Sequence, residues 1–402
     1  MLEILLKSII RNGALAARGP DGRLYCAGCT EADAPVIVHI RDNATLRRIA
    51  RHPGLATGEA YMEGGLTIER GTLYDFLSVA TRNLRQVAQR RRGPFGRRRR
   101  PRNPRRAARR NVAHHYDLSG ELYRLFLDED RQYSCAYFPH PGMSLDQAQA
   151  AKKRHIAAKL LVGPGQRVLD IGSGWGGLAL TLAEEHGAEV LGVTLSQEQL
   201  ADSRKRAAQR GLDRRVKFEP LDYRDVHGTF DRIVSVGMFE HVGPAHYDAF
   251  FGAIARLLDD KGVAVLHTIG RMDGPSGGNA WIEKYIFPGG TIPALSQIVS
   301  AVERSGLIVA DVETLRLHYA DTLREWSKRF AANRDKVRAL YDERFCRMWE
   351  FYLAGAEAGF REGQLVVYQL QLVKDRRAVP LTRDYITDFD RAQPASARVA
   401  AE

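Results

Sequence analysis

The spacing of apolar residues changes partway along the chain, and the change divides the sequence. The opening MLEILLKSII puts Leu2, Leu5, Leu6 and Ile9 on one face of a helix. VIVHI at 36–40 follows as an alternating apolar stretch, and Gly64-Gly65 marks a turn. This spacing predicts a small α+β domain over 1–89. Further on, apolar β-prone runs alternate with helical stretches. RVLDI (167–171) precedes LALTLAEEHG, AEVLGVTLS (188–196) precedes a helix from Gln197 to Gln209, and VKFEPLD (216–222) comes next. FDRIVSVGMFEHV (230–242) and GVAVLHTIG (262–270) complete the series. Strands alternating with helices predict a parallel sheet covered on both faces, an α/β fold with ligands at the strands' carboxyl ends.

Two later stretches are less regular. Residues 319–341 place Leu323, Trp326, Phe330, Val337, Leu340 and Tyr341 on one helical stripe, a pattern more typical of core packing than of a ligand wall. The stretch 271–290 is rich in glycine and then aromatic, which suits a lid, and Trp281, Tyr285 or Phe287 could face positive charge.

Charge sharpens the division. The chain has 402 residues with 60 Lys and Arg against 48 Asp and Glu, a net charge of +12. Arg90 to Arg110 holds twelve arginines and no acid, so the rest of the chain is balanced. Pro and Gly interrupt these like charges, which predicts a linker over 90–111 without persistent helix or strand. A catalytic domain over 112–392 follows, with a disordered tail over 393–402. The run has one aromatic and no reader fold beside it, which argues against nucleic acid and leaves an anionic membrane surface or a plain solvated linker as its readings. No stretch of 18 uncharged apolar residues exists, so no membrane-spanning helix is expected, and the first ten residues are too short and too charged for a secretory signal. Cys135 and Cys346 are isolated. Cys26 and Cys29 are close enough to be redox-active or half a zinc site, but no second pair follows and a plain turn is the simpler reading. No metal site is expected, and a reducing compartment is the default.

The most specific motif is the loop after RVLDI. Its spacing is Asp170-x-Gly172-x-Gly174-x-Gly176, unlike the GxGxxG of dinucleotide sites. An acid on the strand before the glycines suits a cationic or amine-bearing ligand better than a pyrophosphate. The loop resembles the nucleotide-binding loop of class I S-adenosylmethionine-dependent methyltransferases. Many of those hold the ribose with an acid ending the second strand; here Thr194-Leu195-Ser196-Gln197 stands there, leaving an amide such as Gln199 for the task.

Longer strings narrow the resemblance. They are HHYDLSGELYRLFLDEDRQYSCAYF (114–138), TLSQEQ (194–199), MFEHVG (238–243), LHTIG (266–270), WIEKYIFPGG (281–290), HYADTLREW (318–326) and RMWEFYLAGAEAGFREGQLVVYQLQL (347–372). Together they resemble the cyclopropane-fatty-acyl-phospholipid synthases and the related mycolic acid cyclopropane synthases. The small N-terminal domain fits the two-domain phospholipid branch. The resemblance implies methylene transfer from S-adenosylmethionine to unsaturated phospholipid acyl chains, with bound bicarbonate as the base. Matched motif by motif, it assigns the base site to Cys135, Glu240, His267, Ile269 and Tyr319. Cofactor contacts fall on Tyr133, Ser134, Asp170, Gly172, Gly174, Thr194, Gln197, Gln199, Tyr223 and Arg224. Singly, Cys135 reads as a small buried hydrophobe, His267 as a core histidine and Glu240 as a helix cap. Convergence of Glu240 and His267 at neighbouring strand ends favours a site. The expected location is cytoplasmic, peripheral to the inner membrane, with a homodimer left open. Methyl- or methylene-branching of an acyl chain, or N-methylation of a small amine, are the alternatives.

Overall fold

The computed structural model describes residues 2–29, 35–90 and 119–391, the side chains of 85–90 excepted. The arginine run, the start of the 114–138 string and the expected disordered tail at 393–402 lie outside the described residues.

Two compact units emerge, and neither is contiguous in sequence. The first comprises Met1–Arg99, Gly277–Pro288 and Leu323–Leu365; the second comprises Arg100–Ser276, Gly289–Thr322 and Val366–Glu402. The linear division expected above placed 277–288 and 323–365 with the catalytic residues, whereas here they pack into the first unit. The reason is apolar pairing. Ala354 and Ala358 of the helix Glu343–Arg361 are buried in one cluster with Leu6, Leu15, Val38, Leu66 and Phe76. The cluster backs a four-stranded sheet of β1 (Leu15–Arg18), β2 (Leu24–Ala27), β3 (Val36–Ile40) and β4 (Leu66–Arg70), in order β2-β1-β3-β4. Cys26, within β2, and Cys29, just beyond it, are joined as a disulfide with Cα atoms 6.1 Å apart, so the stretch expected as a plain turn is cross-linked.

The lid-like stretch is tied down inside this unit. Trp281, on the short helix Ala280–Tyr285, is buried and lies 4.8 Å from the Phe351 ring. Glu59 accepts hydrogen bonds from Lys284 Nζ at 2.7 Å and Tyr285 Oη at 2.9 Å. Of the apolar stripe, Leu323, Trp326, Phe330 and Val337 are buried as core; Leu340 is exposed.

The second unit carries the parallel sheet. It contains β5 (Arg167–Ile171), β6 (Glu189–Val193), β7 (Val216–Glu219), β8 (Phe230–Val236), β9 (Leu258–Arg271), β10 (Ile308–Leu315) and β11 (Leu365–Val373), in order β10-β11-β9-β8-β5-β6-β7. The run from β9 to β7 is parallel, and β10 pairs antiparallel with β11. The chain winds outward from β5 in both directions, so the crevice at its carboxyl end is a topological switch point. Apolar clusters cover the sheet: one gathers Phe239, Phe250, Phe251 and Leu370, the other Leu160, Leu180, Val190 and Phe218. The α/β class and the five expected strands are present; β10 and β11 extend the sheet beyond them.

Gly58 offers a test of the first unit's packing. A Cβ there would meet Trp281 Nε1 at 2.4 Å. Gly58→Ala gains helix propensity of about 1 kcal/mol, but overlap with a buried indole costs roughly 1–3 kcal/mol. Overlap should win, so thermal unfolding of the variant should begin at a lower temperature than in the wild type.

Candidate active site

The loop after β5 is shaped by backbone conformations that only glycine adopts easily. Gly172, Gly174 and Gly176 have φ of +84°, +54° and +80°. A Cβ on Gly172 would meet Met238 Cβ at 2.7 Å, whereas one on Gly174 would find nothing within 4 Å. The first glycine is therefore required by close packing, and the second leaves open space. The Gly172 and Ser173 amides donate to the Val193 carbonyl at 2.9 and 3.1 Å, folding the loop back over the end of β6.

A cavity opens at this edge. Nine of the ten expected cofactor residues line it: Tyr133, Ser134, Asp170, Gly172, Gly174, Thr194, Gln199, Tyr223 and Arg224. Gln197 does not; it is the first residue of the helix Gln197–Gln209, whose N-cap is Ser196. Burial pushes the Asp170 carboxyl up to about 7, with Lys152 opposing the shift. Thr194 Oγ1 donates to Gln199 Oε1 at 3.1 Å, which fixes the carboxamide in place of the missing acid. Arg224 is no free surface arginine: Nε and Nη2 reach the two Asp222 oxygens at 2.8 and 2.6 Å. Its guanidinium also lies 5.5 Å from the Tyr223 ring centroid.

Sequence reasoning missed several groups here. Asp222, at the end of VKFEPLD, lines the cavity and holds Arg224. Trp175, His241 and His246 line it as well. Lys152 is fully buried, and its Nζ donates to Gln132 Oε1 at 2.5 Å and Ser134 Oγ at 2.9 Å. Burial draws its pKa down to about 8. Only its spacing from Gln149, one helical turn away, hinted that a polar face points inward.

Three of the five expected base-site residues, Glu240, His267 and Ile269, lie at the carboxyl ends of β8 and β9. Cys135 and Tyr319 lie on two other segments tied to each other, and none of the five lines the cavity. Val236 pairs with His267 across the two strands, and the Gly237 amide donates to the His267 carbonyl at 2.9 Å. Glu240 is buried just beyond β8; its Oε1 accepts from the Ile269 amide at 2.5 Å, and its Oε2 has no hydrogen-bond partner. Burial pushes this carboxyl up to about 7, against the pull of the Ile269 N–H. His267 is held well below its ordinary value by burial and then by the charges of Lys152, Lys159 and His155, so it is neutral. Cys135 is fully buried, and burial drives its thiol far above the usual range, so it is no thiolate. The segment after Cys135 is stitched to the helix His318–Ala332, on which Tyr319 lies: the Ala136 amide donates to Thr322 Oγ1 and the Phe138 amide to His318 Nδ1, each at 3.0 Å.

Asp170 makes a stability prediction with a definite sign. Burial lifts the folded carboxyl to about 7, above the ordinary aspartate value of 3.8, so the folded state binds more protons between those values and stability falls as pH rises through them. Asp170→Asn removes that loss. The ligand-free variant should be more stable than the wild type at pH ~8 by roughly 1–3 kcal/mol. Thermal unfolding at several pH values should show the gap closing as the solution is acidified toward pH ~4.

Residues 103–370 match the family model described as mycolic acid cyclopropane synthetase. The chain is 39% identical over 370 residues to the tuberculostearic acid methyltransferase UfaA1 of Mycobacterium tuberculosis (strain ATCC 25618 / H37Rv), spanning 87% of this chain and 85% of that protein. It is 37% identical over 355 residues to the cyclopropane-fatty-acyl-phospholipid synthase of Escherichia coli (strain K12), spanning 84% and 87%. The solved structure of the mycolic acid cyclopropane synthase CmaA1 complexed with SAH and CTAB matches with a TM-score of 0.62 and 36% identity, over 66% of this chain and 97% of that one. The glycine loop and the buried acids at the sheet edge thus sit in a chain that belongs to the mycolic acid cyclopropane synthetase family, S-adenosylmethionine-dependent methyltransferases of class I fold.

Proposed function

We propose that this protein transfers a methylene from S-adenosylmethionine across the cis double bond of unsaturated phospholipid acyl chains and closes a cyclopropane ring. The observation that carries this reading is Glu240: a buried carboxyl with one oxygen held by the Ile269 amide and the other without a hydrogen-bond partner, just beyond the end of β8, the strand that pairs with neutral His267. An alkene is a weak nucleophile, so its methylation needs an activated methyl, exclusion of water and a way to remove a proton from the resulting cation. The sulfonium of bound S-adenosylmethionine supplies the activated methyl. Asp170 supports the reading because its carboxylate lines the cavity on the side suited to an amine-bearing ligand.

Bicarbonate fits the residues present. The unpartnered Glu240 Oε2 is an acceptor waiting for an O–H, and Cys135, His267 and Tyr319 would complete the set. The Ile269 N–H is engaged by Glu240, and the Ile269 carbonyl accepts from Thr268 Oγ1 at 3.1 Å. When bound, bicarbonate would supply a base that resists alkylation. The chain's part is to keep Cys135 protonated and His267 neutral.

A second reading has its own support. The tuberculostearic acid methyltransferase matches this chain over a greater length than the phospholipid cyclopropane synthase does, and a base near the same cation serves methylene branching as well. Lipid analysis of an expressing host separates the two. Gain of one CH2 with loss of olefinic protons means a ring; gain of one CH2 with new terminal vinylidene protons means a branch. An unchanged lipid profile would overturn both and leave small-amine methylation.

Glu240→Gln and Cys135→Ser should keep cofactor binding and lose turnover by roughly 10²-fold. Near-full activity in Glu240→Gln would remove the base site from this account. Among the described residues no helix is long and apolar enough to cross a membrane. Peripheral attachment to the anionic cytoplasmic face of the inner membrane would rest on the arginines of 90–110, each contributing about 1 kcal/mol near such a surface. Deleting 90–110 should weaken binding to anionic vesicles while leaving cofactor affinity intact, as measured by vesicle sedimentation and calorimetry. Unchanged vesicle affinity would make the run a spacer.

A further inference from the structure

A chain of buried polar groups leads away from His267. His267 Nδ1 lies 3.0 Å from Gln369 Nε2. Gln369 Oε1 in turn accepts from Lys159 Nζ at 2.7 Å. Lys159 also contacts Glu313, which pairs directly with Gln369 across β10 and β11. Glu313 accepts from His155 Nε2 at 2.7 Å, and His155 Nδ1 meets Asp390 at 3.1 Å. Lys159, Gln369 and His267 are 0%, 1% and 2% exposed, so water does not compete for these bonds.

The donor and acceptor inventory fixes the direction of every bond near the site. Burial alone would raise Glu313, but its contacts with His155 and Lys159 hold it well below the usual carboxylate range. It is therefore an anion, and Lys159 beside it is an ammonium with hydrogens to give and no lone pair. Gln369 must then turn its oxygen to Lys159 and its NH2 to His267. An NH2 can only donate, so His267 Nδ1 must accept. The imidazole is neutral, which leaves its single proton on Nε2. A glutamine free of Lys159 could turn over and select the other tautomer.

We propose that Lys159 is a positioning residue: by pinning the Gln369 amide it keeps the His267 proton on Nε2, so that His267 offers the base site a hydrogen-bond donor. This rests on the base-site reading given above for His267. A donor at that position suits an anion and opposes a cation. Lys159 acts on His267 through Gln369 and through its charge, and it does not line the cavity.

The test reads the tautomer directly. NMR of the full-length protein with isotopically labelled histidine, assigned by the signal lost in His267→Gln, should show Nδ1 unprotonated and Nε2 protonated. In Gln369→Glu the carboxylate accepts from His267, moving the proton to Nδ1. Turnover should fall roughly 10- to 100-fold with cofactor affinity unchanged. Lys159→Met should lose turnover in the same way, and Lys159→Arg, which also only donates, should restore most of it. A wild-type His267 protonated on Nδ1 overturns the proposal, and so does a Gln369→Glu variant with unchanged turnover. The wild-type spectrum requires no catalysis, and only the assigning variant His267→Gln need fold. It therefore stands apart from the base-site reading, which fails instead if Glu240→Gln keeps its activity.

Discussion

Ionisable groups buried with too few partners are the constraint around which the second unit is built. Asp170 and Glu240 both lie out of water at the carboxyl edge of one parallel sheet, and both are pushed up to about 7 by that burial. Removing a carboxylate from water costs several kcal/mol unless hydrogen bonds or a countercharge replace it. Here the replacements are few: for Glu240, the Ile269 amide, its own amide and the Thr268 side chain, and for Asp170 the nearby Lys152. Such groups stay put only where the surroundings leave no alternative. The close-packed apolar clusters of the sheet and the Gly172 turn against Met238 provide that rigidity.

The helix Leu145–Leu160 answers the same constraint from the other side. Gln149, Lys152, His155 and Lys159 follow one another at steps of three, three and four, so they share a face, and every one of them is buried. Most helices turn apolar residues inward; this one turns amides and cations. Lys152 serves the cofactor side through Gln132 and Ser134, and Lys159 serves the His267 side through Gln369. The two ammonium groups also add their repulsion to burial in keeping His267 neutral.

That inward polar face marks the limit of what patterning reveals. The strands β5 to β9 were legible because apolar runs bounded by glycine or helix leave little choice, and the Asp170 to Gly176 spacing named its own turn. Lys152, Lys159 and Gln369 were not, since a hydrophobicity rule assigns such residues to solvent. Gln369 and Gln371 alternating within the apolar VVYQLQL was the one local signal, because two amides on one face of a buried strand need partners inside. Discontinuity hid the division into units. The stripe Leu323, Trp326 and Phe330 says that a helix is buried but is silent about where, and nothing local to Trp281 reveals that Gly58 receives it. Arg224 lines the cavity as expected, but its pairing with Asp222, two residues away, depends on a turn that patterning does not reveal.

Under the proposed alkene methylation, burial would also decide which nucleophile reacts first. A sulfonium methyl alkylates thiolates and imidazoles far more readily than alkenes, so any such group left available beside it would be consumed in the alkene's place. Cys135 is protected because burial keeps its sulfur protonated. On His267, the basic lone pair at Nδ1 is occupied by the Gln369 amide. Glu240 has one oxygen committed to Ile269, and a raised pKa that reduces its charge. The stability given up by holding acids and cations out of water is, on this reading, what allows the weakest nucleophile in the site to be the one that is methylated.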